Sequence, residues 1–225
     1  MDDLKAKTTD ILDVLESTFG VERWEGGRDA LETLIRTVLS QNTNDTNRDR
    51  AYGALRARFP TWEDVMNADP KDLADAIRVG GLANQKSVRI RDILRWIKAR
   101  YGALDLDYVC DMPTSEVIDT LCQQKGVGIK TVSVMLMFAC GRDIFPVDTH
   151  IHRISKRLGL IPATCTAEKA HQVMADLIPP GKAYSFHLNL LKFGRRICHA
   201  RNPECERCPL WDVCLFEGKK PRGFN

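Results

Sequence analysis

No apolar run in these 225 residues is long enough to span a membrane, and the opening MDDLKAKTTD carries acids where a secretory signal would need an apolar core. The expectation is a cytoplasmic protein. Charge of one sign is scarce as well: 33 Lys and Arg against 30 Asp and Glu leave +3, which by itself points only faintly to a nucleic-acid partner. Strand-like alternation is nearly absent, and there is no internal repeat or low-complexity tract, which argues against a β-sheet fold or a solenoid. The chain is nevertheless long enough to bury a substantial core and support a cleft.

Apolar residues recur at helical spacing almost throughout, as in Leu31, Leu34, Ile35, Val38 and Leu39, or in Ile90, Ile93, Leu94 and Ile97. Start signals stand at Asp29-Ala-Leu-Glu32, at Ser115 ahead of Val117 and at Pro70. Breaks fall at Gly26-Gly27, Phe59-Pro60, Gly80-Gly81, Tyr101-Gly102, Gly126 to Gly128, Gly141, Pro162 and Pro179-Pro180-Gly181. This pattern predicts roughly ten helices joined by short turns, an all-α architecture. The tail from Gly218 to Asn225 is polar and basic and reads as loose.

Charge clusters locally even though it balances globally. Lys86, Arg89, Arg91, Arg95, Lys98 and Arg100 face the single Asp92, and Lys192, Arg195, Arg196 and Arg201 form a second group. Either group reads equally well as a solvated helix face or as a seat for phosphate.

The stretch from Leu121 to Met137 reads as helix, turn and helix, with Gly126-Val127-Gly128 as the turn. Glycines permit positive φ and close approach, and amides opening the next helix suit an anion such as a DNA phosphate. A compact helix connection would use the same residues. Lys130 falls in the first turn of the second helix, where the macrodipole disfavours a cation; an amine held there can act as a nucleophile toward carbon, although most such lysines reach into water. Asp148, in Val147-Asp148-Thr149-His150, is an N-cap by position and also a carboxylate able to take a proton or stabilise positive charge on a sugar. His150 and His152 are two residues apart, which does not put them on one helix face.

Eight cysteines in a cytosolic chain argue against a disulfide framework. Cys198, Cys205, Cys208 and Cys214 form Cys-x6-Cys-x2-Cys-x5-Cys, able to hold zinc or an iron-sulfur cluster. Only one Cys-x-x-Cys hook is present, whereas zinc ribbons favour two, so the spacing suits a larger object. Cys110, Cys122, Cys140 and Cys165 read as ordinary small apolar residues.

The hairpin with Lys130-Thr131, the Val-Asp-Thr-His segment and the cysteine loop together resemble the endonuclease III family of DNA glycosylases in the helix-hairpin-helix superfamily, over nearly the whole chain. The resemblance implies two helical lobes with a DNA cleft between them: residues 21–142, a six-helix lobe with the hairpin at about 114–138, and residues 1–20 plus 143–225 with a four-iron four-sulfur cluster loop at 198–214. It implies that Lys130 attacks C1′ of a damaged nucleoside and Asp148 assists. The result would be a bifunctional glycosylase and lyase acting as a monomer on double-stranded DNA that carries an oxidised pyrimidine or an abasic site. Gln41 would fill the hole left by the extruded nucleotide and Leu82 would wedge the opposite strand. Lys125, Gly126, Val127 and Gly128 would grip backbone. Gln124-Lys125 stands where the family often has Leu-Pro, and Val132 where it has alanine. A monofunctional mismatch or base glycosylase and a non-catalytic DNA-binding metalloprotein are the competing readings.

Overall fold

The computed structural model describes residues 1–222, among which there are eleven α-helices, three short 3-10 turns and no β-strand. In chain order α1 is Asp2–Phe19, α2 Ala30–Leu39, α3 Asp45–Arg58, α4 Trp62–Asn67, α5 Pro70–Ala76, α6 Ala83–Tyr101, α7 Thr114–Leu121, α8 Ile129–Cys140, α9 Thr149–Arg157, α10 Ala167–Leu177 and α11 Ala183–Arg196. No helix among these residues is long and apolar enough to cross a membrane.

Local chemistry starts most of them. Asp29 accepts from the Glu32 amide to cap α2, and Thr61 and Asp64 close a reciprocal capping box on α4. Asp69 caps α5, whose first residue is Pro70. The predicted cap at Ser115 lies two residues late: the N-cap of α7 is Pro113 and the helix begins at Thr114.

The chain divides into two units, Gly26–Cys140 and Met1–Glu25 together with the chain from Gly141 onward. In the first, α8 packs on α2 and α7, while α6 packs on α4 and α5. Apolar all round, α8 is the buried core helix of this unit, with Val132, Met135, Leu136 and Met137 closed to solvent. Each contributes about 1.5–3 kcal/mol by burial. In the second unit α11 packs on α1 and α9 around Ile11, Leu15, Ile154, Phe186, Leu190 and Phe193.

Two expectations are corrected. Cys110 and Cys140 are joined by a disulfide rather than packed as separate apolar residues. They are 30 positions apart, brought within 5.1 Å between Cα atoms because the 3-10 turn Asp107–Cys110 packs against α8. The tail is not loose over its described part: Lys219 Nζ donates to the carbonyls of Trp211 and Cys214, the Trp211 indole donates to the Lys220 carbonyl, and Arg222 pairs with Asp212. The remaining residues of that tail, 223–225, lie outside the described residues.

Candidate functional site

In the unit Gly26–Cys140 the hairpin lies between α7 and α8. Gly126 has φ +85, a conformation that favours glycine, and the Arg89 side chain lies close over it, 2.7 Å from where a Cβ would stand. Val127 is buried between the helices, Lys125 is exposed, and the Gly128 carbonyl accepts from Thr131 and Val132 to start α8. The positive end of the helix dipole lies at this turn and favours an anion there. Lys130, partly buried, stands in that turn.

Two loops of the same unit meet α6. Gln41, just beyond α2, donates from Nε2 to the Gly126 carbonyl at 2.9 Å and accepts from Arg89 Nη1 at 3.2 Å, so it is seated on the hairpin. Leu82 sits at the N-cap of α6 with φ 50 and ψ 33, a left-handed conformation that costs a leucine about 1–2 kcal/mol, and its side chain is 43% exposed. A strained, exposed leucine needs a reason outside local stability. The loops are adjacent, since a Cβ on Gly81 would lie 3.9 Å from the Asn42 carbonyl oxygen.

Of the basic residues assigned to α6, Lys86 is not on a solvated face. It is fully buried, and its Nζ donates to the carbonyls of Leu39 at 2.7 Å and Gly80 at 2.8 Å. Burial, reinforced by the nearby Arg89 charge, lowers its pKa to about 8. Neither Lys86 nor Arg89 stood out in the sequence as a site residue. The signal for Lys86 was its register: it lies four positions before Ile90, on the stripe that continues through Ile93, Leu94 and Ile97.

In the other unit Asp148 is the N-cap of α9, its Oδ1 accepting from the Ile151 amide at 2.8 Å. Buried histidines hold the segment that leads into it: His187 Nδ1 lies 3.0 Å from the Pro146 carbonyl, and His171 Nδ1 lies 3.4 Å from the Val147 amide and 3.3 Å from the Phe145 carbonyl. His152 bonds the Cys165 carbonyl and His150 faces Arg153.

The same helix carries Arg153 and Arg157 to the cysteine loop. Arg157 donates to Cys198 Sγ at 3.2 Å and to the carbonyls of His199 and Ala200, and stacks over Phe216; Arg153 donates to the Cys198 carbonyl. Cys198, Cys205, Cys208 and Cys214 line one cavity together with Arg157 and Phe216. Burial pushes the Cys198 thiol up against the opposing pull of Arg157, and pushes Cys208 up to about 11. Four thiols around one cavity, Cys198 and Cys205 buried and Cys208 and Cys214 half-buried, fit a soft, cationic cluster that offsets the cost of their thiolates. Of the second basic group, Lys192 is committed to Glu22 and the Phe19 carbonyl, whereas Arg195, Arg196 and Arg201 are exposed.

Residues 35–180 match the model of the HhH-GPD superfamily of base excision DNA repair proteins, and residues 198–214 match the iron-sulfur binding domain of endonuclease III. The chain is 41% identical over 168 residues to a putative DNA glycosylase of Arabidopsis thaliana, At3g47830, covering 75% of this chain and 57% of that protein. It is 35% identical to endonuclease III of Thermotoga maritima over 87% of each chain. Its fold matches that of a trapped endonuclease III–DNA covalent intermediate with a TM-score of 0.81 and 27% identity, covering 93% of this chain and 95% of the other. The chain belongs to the HhH-GPD superfamily of base excision DNA repair proteins. Within it, this is an endonuclease III-like DNA glycosylase, and its cofactor is a four-iron four-sulfur cluster.

Proposed function

We infer that this protein is a bifunctional glycosylase and abasic-site lyase that removes damaged bases, oxidised pyrimidines foremost, from double-stranded DNA as a monomer in the cytoplasm. Lys130 is the nucleophile. Its neutral amine forms a bond to C1′, the glycosidic bond breaks, and the base leaves with the bonding electrons and gains a proton. Ring opening gives an imine that acidifies the 2′ position; loss of a 2′ proton then expels the 3′ phosphate by β-elimination and cuts the strand. Asp148 accepts the proton lost by the Lys130 amine and stabilises positive charge developing on the sugar. Gln41 occupies the space vacated by the extruded nucleotide and Leu82 wedges the opposite strand, while Lys125 with the Gly126 and Gly128 amides grips phosphate, the Val127 amide being committed to the Gln124 carbonyl.

Cys198, Cys205, Cys208 and Cys214 are the cluster ligands, and the bound cluster supplies metal–thiolate bonds that cross-link the loop. Arg201 of the loop, with Arg195 and Arg196 at the end of α11, then faces DNA backbone. The observation that carries this reading is Lys130 in the first turn of α8, directly behind the Gly126 turn, in a chain of a base excision repair family. The competing step, base removal without strand cleavage, needs no such amine.

The test is a duplex carrying one oxidised pyrimidine, resolved on a denaturing gel without alkali. Cleavage 3′ to the lesion supports the bifunctional reading. Breaks that emerge only after alkali would make the enzyme monofunctional, and tight binding with no base release would make it a binding protein.

A further inference from the structure

Lys86 is the one lysine, arginine, aspartate or glutamate that is buried among the described residues, and the reaction has no use for its amine. Its position supplies a different use. Leu39, one acceptor, is the last residue of α2 and the root of the segment Ser40-Gln41-Asn42. Gly80, the other, ends the 3-10 turn Arg78–Gly80 and is the root of Gly81-Leu82. One ammonium therefore bridges the bases of two loops that are 47 and 6 residues from it along the chain.

Both loops hold a non-glycine residue in left-handed conformation, Asn42 with φ 53 and Leu82 with φ 50. Such conformations persist only where the surroundings over-determine them. An apolar side chain in place of Lys86 would leave both carbonyls without this donor. A lysine suits the place because its three N–H groups sit at one point on a flexible stem. Three residues further along α6, Arg89 holds Gln41 by its amide oxygen while Gln41 holds the Gly126 carbonyl.

We propose that Lys86 is a positioning residue that locks the Gln41 and Leu82 loops into one rigid element, so that both side chains engage the duplex together and nucleotide extrusion, not bond cleavage, is the step it serves. This rests on the reading above, in which Gln41 fills the vacated stack and Leu82 wedges the opposite strand. A loosened pair of loops would still permit chemistry on a nucleotide already outside the helix.

The experiment compares wild type with Lys86→Met on one abasic site presented two ways, within a paired duplex and within an unpaired loop, by single-turnover strand cleavage. Amide hydrogen exchange is followed at 40–42 and 80–82. The expected result is a duplex rate lower by about tenfold or more with the unpaired-loop rate nearly unchanged, and faster exchange in both loops at once. Equal losses on both substrates would indicate general destabilisation and overturn the proposal, as would an unchanged duplex rate. If Lys86→Met does not fold, Lys86→Gln serves the same comparison, since its side chain is one bond shorter and uncharged, and a change in the ratio of the two rates is again required. If the wild type cleaves neither substrate, it is the lyase reading that fails. Exchange then decides the clamp alone: both loops loosening together supports it, and one or neither overturns it.

Discussion

Replacing Lys86 by methionine should remove a pH dependence of stability whose sign is unusual for a lysine. The folded chain holds this amine at a pKa of about 8, against 10.5 in an ordinary environment, because burial penalises the ammonium and Arg89 adds a like charge. Below about pH 8 both folded and unfolded chains carry the proton, and the folded state bears the full cost of a buried charge. Between about pH 8 and 10.5 the unfolded chain binds the proton that the folded chain has released, so unfolding free energy rises with pH. The slope reaches about 1.4 kcal/mol per pH unit, and the gain over the whole window is about 3 kcal/mol as an upper value, since the two carbonyl acceptors favour the ammonium. Lys86→Met has no such term; instead it leaves two carbonyls unsatisfied at about 1–3 kcal/mol each, independent of pH. Tyr52, pushed up to about 12 mainly by burial, lowers stability above pH 10 in both proteins and cancels in the difference. Urea unfolding of both proteins from pH 7 to 10.5 measures that difference, and a lysine ¹³Cε resonance absent from the variant should titrate near pH 8. A difference curve that is flat, or that falls with pH, would refute the reasoning.

Three further outcomes follow from the geometry. Asp148→Asn should keep the cap on α9, because asparagine caps as well as aspartate, yet abolish base excision; Asp148→Ala should lose the activity and about 1 kcal/mol of stability besides. Full activity in the asparagine variant, measured by single-turnover excision, would remove the carboxylate from the mechanism. Breaking the Cys110–Cys140 bond, by reductant or by Cys140→Ser, should destabilise by about 3–4 kcal/mol for a 30-residue loop, a thermal shift on the order of 10 °C. An unchanged melting midpoint would contradict it. Arg157→Ala should lose the contacts to Cys198, His199, Ala200 and Phe216 and release the cluster about tenfold faster, followed as bleaching of visible absorbance under a chelator.

Features written in contiguous residues are legible in the sequence alone. The Gly126 turn, the helix start at Lys130, the cap at Asp148 and the four-cysteine spacing each depend on residues a few positions apart, where backbone rules operate directly. Pairings across long separations are not legible there. Gln41 reaches Gly126 across 85 residues, and Cys110 reaches Cys140 across 30, with nothing in helical periodicity to announce either. Charge counting also misassigns Lys86, because it groups a lysine four residues ahead of Ile90 by its charge instead of by its helix face. Lys192 fails as a phosphate contact for a related reason: its partner Glu22 lies 170 residues away.

The most direct test of the central claim is borohydride trapping on duplex DNA carrying one oxidised pyrimidine or one abasic site, with wild type beside Lys130→Ala. The account predicts a covalent protein–DNA adduct with both lesions that disappears in the variant. An adduct that survives Lys130→Ala, or no adduct with either lesion despite binding, would contradict imine chemistry at Lys130.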